Sequence, residues 1–249
     1  DSALTIALAV EALGADNVAP APAPASRPAA PRGKKLTAEK VCKAVGHLLP
    51  ENAILVDEAI TSGLMLSKYT AGAPRHDLLT LTGGAIGQGL PNAVGAAIAC
   101  PDRPVLALIG DGSSMYTIQS LWTMAREKLN VTTVVFNNAS YSVLNVELER
   151  VGAEKIGDKA RAQLDLSKPV LNFTQIAEGL GVAAVRATDP EAFTRALERA
   201  LASRGPHLIE AVVPPTLAGV KLKLLPHLLG SLDKMPQPLA HMLKRKIAP

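Results

Sequence analysis

The sequence predicts an α/β fold, a parallel six-stranded sheet with helices on both faces. One stretch carries most of that prediction. Residues 105–109 (VLALI) form an apolar, β-branched run that breaks at Gly110-Asp111-Gly112-Ser113. Ile118, Leu121, Trp122 and Ala125 follow at helical spacing, and a second apolar run at 131–136 (VTTVVF) ends in Asn137-Asn138. Strand, Gly-rich turn, helix and strand make one right-handed βαβ unit, with both turns at the carboxyl edge of a parallel sheet. Ligands bind at that edge in open α/β sheets. Composition agrees: 48% of the residues are apolar and only 3% aromatic. The core must then be Ala, Val, Leu and Ile, which suits a parallel sheet flanked by helices better than a β-sandwich. About six strand-like runs, separated by helical patterns, complete the case.

Taken in order, residues 4–13 (LTIALAVEAL) read as an amphipathic helix closed by Gly14. A lone helix this short is marginal in water, so residues 1–16 are expected to be the remnant of a preceding domain. Residues 17–35 are an Ala/Pro-rich linker, expected to be extended and poorly ordered. The main domain is expected at 36–213. It opens with a helix capped by Thr37, with Lys40 at the capping-box position and Val41, Val45, Leu48 and Leu49 as its buried stripe. A strand at 53–56 ends in the polar turn Asp57-Glu58-Ala59-Ile60-Thr61-Ser62-Gly63, where Thr61 and Ser62 serve as helix caps on the simplest reading.

A short strand at 78–82 leads into Gly83-Gly84-Ala85-Ile86-Gly87-Gln88-Gly89, four glycines in seven residues, a density that neither helix nor strand propensity explains. Pro91 is expected at the first position of the next helix, whose Ala and Gly permit close packing on the sheet. After Asn138, residues from Ala139 onward start another helix. Tyr141 alone reads as a core or interface ring, and Glu147, Glu149 and Arg150 as a solvated face. Residues 153–169 are polar and expected to form a surface excursion. A helix from Asn172, a strand at 182–185, a helix at 190–203 and a strand at 208–213 follow, with His207 as a satisfied turn histidine. The basic tail 214–249 is interrupted by Pro226, Pro236 and Pro238, so it lacks the clean amphipathic face of a membrane-surface helix and is expected to pack on the domain or on a partner.

At 249 residues the chain can bury a full core. Its net charge of +4 is modest, and no RNP-like aromatic strand or recognition-helix signature accompanies it, so nucleic-acid binding is not expected. Cys42 and Cys100 stand far apart without a CxxC or Cys/His cluster and read as buried free thiols. No secretory signal or apolar run near membrane-spanning length is present, which sets the expectation of a cytoplasmic protein without a membrane span.

The two turns carry specific chemistry. Asp111 supplies a hard anionic oxygen and Asn138 a neutral amide oxygen, the ligand types that Mg²⁺ or Ca²⁺ prefers. Gly110 and Gly112 let the backbone pass close to a ligand, and the N–H groups of Gly112 and Ser113 stand where a phosphate would be received. Asn138 follows Asp111 by 27 residues. This GDG, spacer and NN pattern resembles the fingerprint of the thiamine-diphosphate (ThDP) enzymes. The resemblance implies that Asp111, Asn138 and the carbonyl of Ser140 hold Mg²⁺ against the diphosphate. It also implies that Ile60 (through its N–H) and Thr61 (through its hydroxyl) contact the diphosphate, and that Tyr141 lies near it. The Gly-rich segment is similar to the family's G-x-(I/L/M)-G-x-x-x-P element. By that likeness the Gly84 carbonyl and the Ile86 N–H grip the aminopyrimidine, and the Ile86 side chain wedges the cofactor into its bent form. Val143 and Leu144 would then face the substrate and favour an apolar side chain.

The likeness covers residues 36–213 and is nearest the C-terminal, diphosphate-binding domain of acetohydroxyacid (acetolactate) synthase and benzoylformate decarboxylase. Acetohydroxyacid synthases usually carry Gly-Met and a downstream Trp after NN, where this chain has Ser142-Val143-Leu144; the run GDGSSMYTIQSLWTMA is nearer benzoylformate decarboxylase. The family's catalytic Glu lies in a separate pyrimidine-binding domain, and no recognisable version of that segment occurs here. The expectation is one half of a 2-oxo-acid decarboxylase or carboligase, completed by a pyrimidine-binding domain or chain and working as a dimer or tetramer. FAD would belong only to a domain outside this sequence. Two other readings stay open: a ThDP-dependent acyl-CoA lyase, with Lys244-Arg245-Lys246 meeting the anionic ester, and a non-catalytic phosphate-binding module.

Overall fold

The computed structural model describes residues 2–12, 14, 26–150 and 157–215. In chain order the elements are α1 (Ser2–Ala12), α2 (Ala38–Leu48), β1 (Ile54–Glu58), a 3₁₀ turn (Ile60–Ser62), α3 (Leu66–Thr70), β2 (Asp77–Thr80), α4 (Gly89–Ala99) and β3 (Val105–Gly110). They continue with α5 (Asp111–Thr117), α6 (Ser120–Arg126), β4 (Val131–Asn137), α7 (Ser142–Arg150), α8 (Asp158–Ala162), α9 (Phe173–Gly179), β5 (Ala183–Ala187), α10 (Pro190–Ala202) and β6 (His207–Val212). The six strands form one sheet in the order β2-β1-β3-β4-β6-β5, every pairing parallel. The chain runs outward from β1 to β2, then returns past β1 to β3. That reversal opens a crevice beyond the carboxyl ends of β1 and β3, the place where doubly wound sheets bind ligands.

Alternation along the central strands builds two cores, one on each face. Leu55, Leu106, Leu108, Val134, Phe136 and Ile209 point to the layer of α2, α3 and α10. Ile54, Val56, Ala107, Ile109, Val135 and Leu208 point to the layer of α4, α6 and α9. The chain's three phenylalanines are all fully buried, Phe136 and Phe193 in the first layer and Phe173 in the second; burying each contributes about 1.5–3 kcal/mol. The helix starts follow local chemistry. The Thr37, Asn172 and Asp189 side chains accept from Lys40 N, Gln175 N and Ala192 N at 3.2, 3.1 and 2.8 Å, each such cap contributing about 1 kcal/mol.

Several expectations need correction. The pattern Ile118, Leu121, Trp122 and Ala125 belongs to two short helices, with Ile118 ending α5; Trp122 is 51% exposed, under the Arg126 guanidinium 4.8 Å from its ring centre. Pro91 lies in the first turn of α4 but is not its first residue, which is Gly89. Strand β2 is an edge strand with all four residues exposed. Residues 26–35 are strapped onto the domain and do not form a free linker. Arg27 donates to the carbonyls of Leu49 and Gly46, the His47 ring lies 2.9 Å from the Pro28 carbonyl, and Gly33 N donates to Glu191. The return of the polar 153–169 segment is also more than a surface excursion. Tyr141 N donates to Leu164 O and Leu166 N to Ala139 O, each at 3.0 Å, so it braces the loop after β4. The rest of the linker and the tail beyond residue 215 lie outside the described residues, and no described helix is long and apolar enough to cross a membrane.

Candidate functional site

Register brings the site together. Glu58 pairs with Ile109 and Gly110 with Phe136, so β1, β3 and β4 end side by side and their following turns meet. Between them and the Gly-rich loop lies a cavity of about 240 Å³. Its wall includes Ile60, Thr61, Gly84, Ile86, Gly110, Asp111, Gly112, Ser113, Asn138, Tyr141 and Val143, eleven of the thirteen residues singled out from the sequence. Ser140 and Leu144 are not part of that wall. Leu144 is 45% exposed on α7, because the α7 turn that presents Val143 inward carries its neighbour outward.

Asp111 is the electrostatic centre. It is 2% exposed; one carboxylate oxygen accepts from Gly112 N at 2.8 Å and the other from Asn138 N at 3.0 Å. Burial pushes its carboxyl above the ordinary range, while the amides of Gly112, Ala139, Asn138 and Ser140 pull the other way. A desolvated carboxylate beside a neutral amide oxygen, opening on a cavity, is what an oxygen-seeking divalent cation compensates. The Asn138 side-chain oxygen accepts from Ser140 N at 3.0 Å, and the Ser140 carbonyl accepts from Ser142 N at 2.8 Å. Among the described residues no cluster of three or more His, Cys, Asp or Glu could hold a metal, so a cation here would rely on one carboxylate supplemented by amide and carbonyl oxygens. That donor set fits Mg²⁺ and does not fit a thiolate- or imidazole-seeking metal.

The backbone around the cavity is strained in two places. Ile60 has φ 50° and Ala139 φ 56°, a left-handed region that costs a residue with Cβ roughly 1–2 kcal/mol. A β-branched residue there is unusual, and it turns the Ile60–Thr61 segment into the cavity wall. The Tyr141 ring packs against Gly112, where an added Cβ would come within 2.3 Å of it. Burial, with Tyr116 and Asp111 nearby, raises its phenol above the usual value. Loop 83–89 uses positive φ at Gly83, Gly84 and Gly87, and the Gly84 carbonyl accepts from Ile86 N at 2.9 Å.

Five further wall residues, Glu58, Ala59, Ser62, Leu81 and Ser142, were not singled out as site residues in the sequence, and two of them stand apart. Leu81 lies in the turn after β2, and Glu58, at the end of β1, is 1% exposed with its carboxylate turned to the Gly-rich loop. In sequence Glu58 is one more polar turn residue. Only the approach of Gly87 and Gly89, which donate to it across 29 and 31 residues, distinguishes it.

Comparison with known proteins bears on this site. Residues 61–211 match the family model described as thiamine pyrophosphate enzyme, C-terminal TPP binding domain. Over 205 residues the chain is 58% identical to a Mycobacterium tuberculosis protein named as an acetolactate synthase large subunit, IlvX, covering 80% of this chain and 40% of that one. It is 34% identical to benzoylformate decarboxylase of Pseudomonas aeruginosa, covering 82% and 38%. The solved structure of a ThDP-dependent 4-hydroxybenzoylformate decarboxylase from Rhodococcus jostii superposes with a TM-score of 0.65 at 31% identity, over 76% of this chain and 35% of that one. The chain therefore spans at most two-fifths of these relatives' length. Matched in sequence over residues 61–211, which include the GDG and NN turns, the chain belongs to the thiamine pyrophosphate enzymes, as their C-terminal TPP-binding domain.

Proposed function

We propose that this chain is the ThDP- and Mg²⁺-holding half of a 2-oxo-acid decarboxylase or carboligase. The observation that carries the proposal is the convergence of Asp111 and Asn138 on one cavity with Thr61 and the Gly83–Gly89 loop. Asp111, the Asn138 side chain and the Ser140 carbonyl would hold Mg²⁺. Ser113, the Ile60 N–H and the Thr61 hydroxyl would receive the diphosphate, with Tyr141 beside it, while Gly112, whose N–H is already donated to Asp111, would line its path. The Gly84 carbonyl and Ile86 would orient the pyrimidine, and Val143 would border the substrate. When bound, ThDP supplies a nucleophilic carbon that adds to a 2-oxo acid and holds the electron pair left when CO₂ departs. This chain's residues bind, orient and exclude water; the acid that activates the pyrimidine belongs to a second domain or chain. The share of the relatives that this chain covers supports that division, and a cytoplasmic dimer or tetramer is the working form we propose.

Calorimetric titration of ThDP into the chain, with and without Mg²⁺ and for Asp111→Ala, tests the reading. Mg²⁺-dependent binding that weakens at least about tenfold in Asp111→Ala is expected, since the variant removes the only charged metal ligand. Binding indifferent to both Mg²⁺ and Asp111, or no binding by the wild type, overturns it.

A further inference from the structure

Glu58 has no part in the cofactor contacts set out above, yet its placement is costly. Strand alternation sends Asp57 toward α2 and Glu58 toward α4, on the face of Ile54 and Val56. There one carboxylate oxygen accepts from Gly87 N at 2.5 Å and the other from Gly89 N at 2.6 Å. Gly89 is the first residue of α4, and the N-cap residue of that helix, Gln88, makes no side-chain cap hydrogen bond. A carboxylate from a neighbouring strand therefore does the capping, and the positive end of an eleven-residue helix compensates a charge withdrawn from water. The fit leaves no slack: a Cβ at Gly89 would come within 2.6 Å of both Glu58 Oε2 and Ile109 Cδ1. From the other side Thr117 Oγ1 donates to the Gly87 carbonyl at 2.6 Å. Gly87 is thus held through its N–H and its carbonyl together, and Ile86, the residue before it, is fixed at the cavity wall although its side chain is 44% exposed.

We infer that Glu58 is a positioning residue: its carboxylate, backed by Thr117, clamps the Gly-rich loop so that Ile86 is presented to the non-phosphate part of the cofactor. This rests on the ThDP reading above and adds a division of labour within it. The Asp111–Asn138 corner would hold the diphosphate unaided, whereas discrimination for the rest of the cofactor passes through Glu58. A neutral amide cannot replace the carboxylate, because Gln would turn an NH₂ group toward one of the two loop N–H donors.

The test compares wild type, Glu58→Gln and Thr117→Val, each titrated with ThDP and with inorganic diphosphate in the presence of Mg²⁺, alongside amide exchange of the free chain. Glu58→Gln is expected to weaken ThDP by about tenfold or more while leaving inorganic diphosphate within about twofold, as loss of a hydrogen bond to a charged acceptor implies. The Gly87 and Gly89 amides should lose protection while those of β3 and β4 keep theirs. Thr117→Val, a near-isosteric change, should show the same ThDP-selective loss to a smaller degree and serves if Glu58→Gln does not fold. Equal weakening of both ligands, unchanged ThDP affinity in a folded variant, or a wild type that binds the two ligands equally well each overturns the inference. A wild type that binds neither overturns the cofactor reading itself.

Discussion

The contact between Gly112 and Tyr141 offers a measurement of how tightly the GDG turn is built. Gly112 does not use a left-handed φ, so its backbone accepts an alanine; the obstacle is the Tyr141 ring, whose Cε1 and Cδ1 would lie 2.3 and 2.6 Å from the new Cβ. Carbon atoms rest at about 3.5–4.0 Å, so the ring must retreat by more than an ångström. Tyr141 is half-buried and its N–H is tied to Leu164 O, so the ring can tilt while its backbone cannot follow. Gly112→Ala should then cost about 1–3 kcal/mol, the usual range for overpacking. In a Tyr141→Ala background the clashing ring atoms are gone, and the same change should gain about 0.5–1 kcal/mol, because alanine replaces glycine in the first turn of α5. The coupling in a double-mutant cycle is therefore about 1.5–4 kcal/mol. Thermal melts resolve it, at roughly 2–4 °C per kcal/mol for a chain of this size. Equal costs of Gly112→Ala in the two backgrounds would refute the steric account of the second glycine in GDG.

Other expectations follow from groups near the site and from its supports. Burial raises the Asp57 carboxyl above 3.8, opposed by the Ala59 N–H. Its stabilising contribution is therefore complete below pH 3.8 and is lost as the pH rises through the elevated folded value. Asp57→Asn, which keeps an acceptor for Ala59, should melt higher than wild type at pH 7, and the gap should close as the pH falls below 3.8; a gap independent of pH would contradict this. Burial first, and then Asp57, pushes the Cys42 thiol up to about 12. Only the partly exposed Cys100 should therefore react with a thiol reagent in the native chain at pH 8, both thiols reacting in denaturant. A Cβ at Gly46 would sit 2.1 Å from the Tyr69 carbonyl oxygen, a backbone atom that cannot swing aside. Gly46→Ala should cost about 3 kcal/mol or more by prying α2 from α3, read in the same melts.

The sequence made the centre of this molecule legible because its signals there are local and continuous. Residues 105–109 and 131–136 are unbroken apolar runs, as strands buried on both faces must be, and they became β3 and β4 with the Asp111 and Asn138 turns at their ends. Legibility fell wherever the deciding contact lies far away in sequence. Spacing alone merged α5 and α6, since Trp122 sits at a helical interval from Ile118 yet rests on Arg126 in solvent. Leu144 follows Val143 in a helix whose inward face only the packing of α7 on the turn after β1 selects. Glu58 was invisible as a functional group because both of its partners are backbone amides, which carry no residue identity. Arg27 was lost in an Ala/Pro background for the same reason: its acceptors are the carbonyls at the end of α2.

That strap across α2 decides where this domain can be cut. The family match begins at residue 61, beyond α2 and beyond β1, the strand that lies between β2 and β3. A piece trimmed to the matched residues would leave β2 without a neighbour and strip one face of the sheet of Val41, Val45 and Leu55. Starting at 36 would restore those but leave the Leu49 and Gly46 carbonyls without the Arg27 donor and the His47 ring without Pro28. Pro31, buried within the strap, would also be gone. The smallest unit expected to fold cooperatively begins near residue 26, so the Ala/Pro tract from that point on is structural material of the domain.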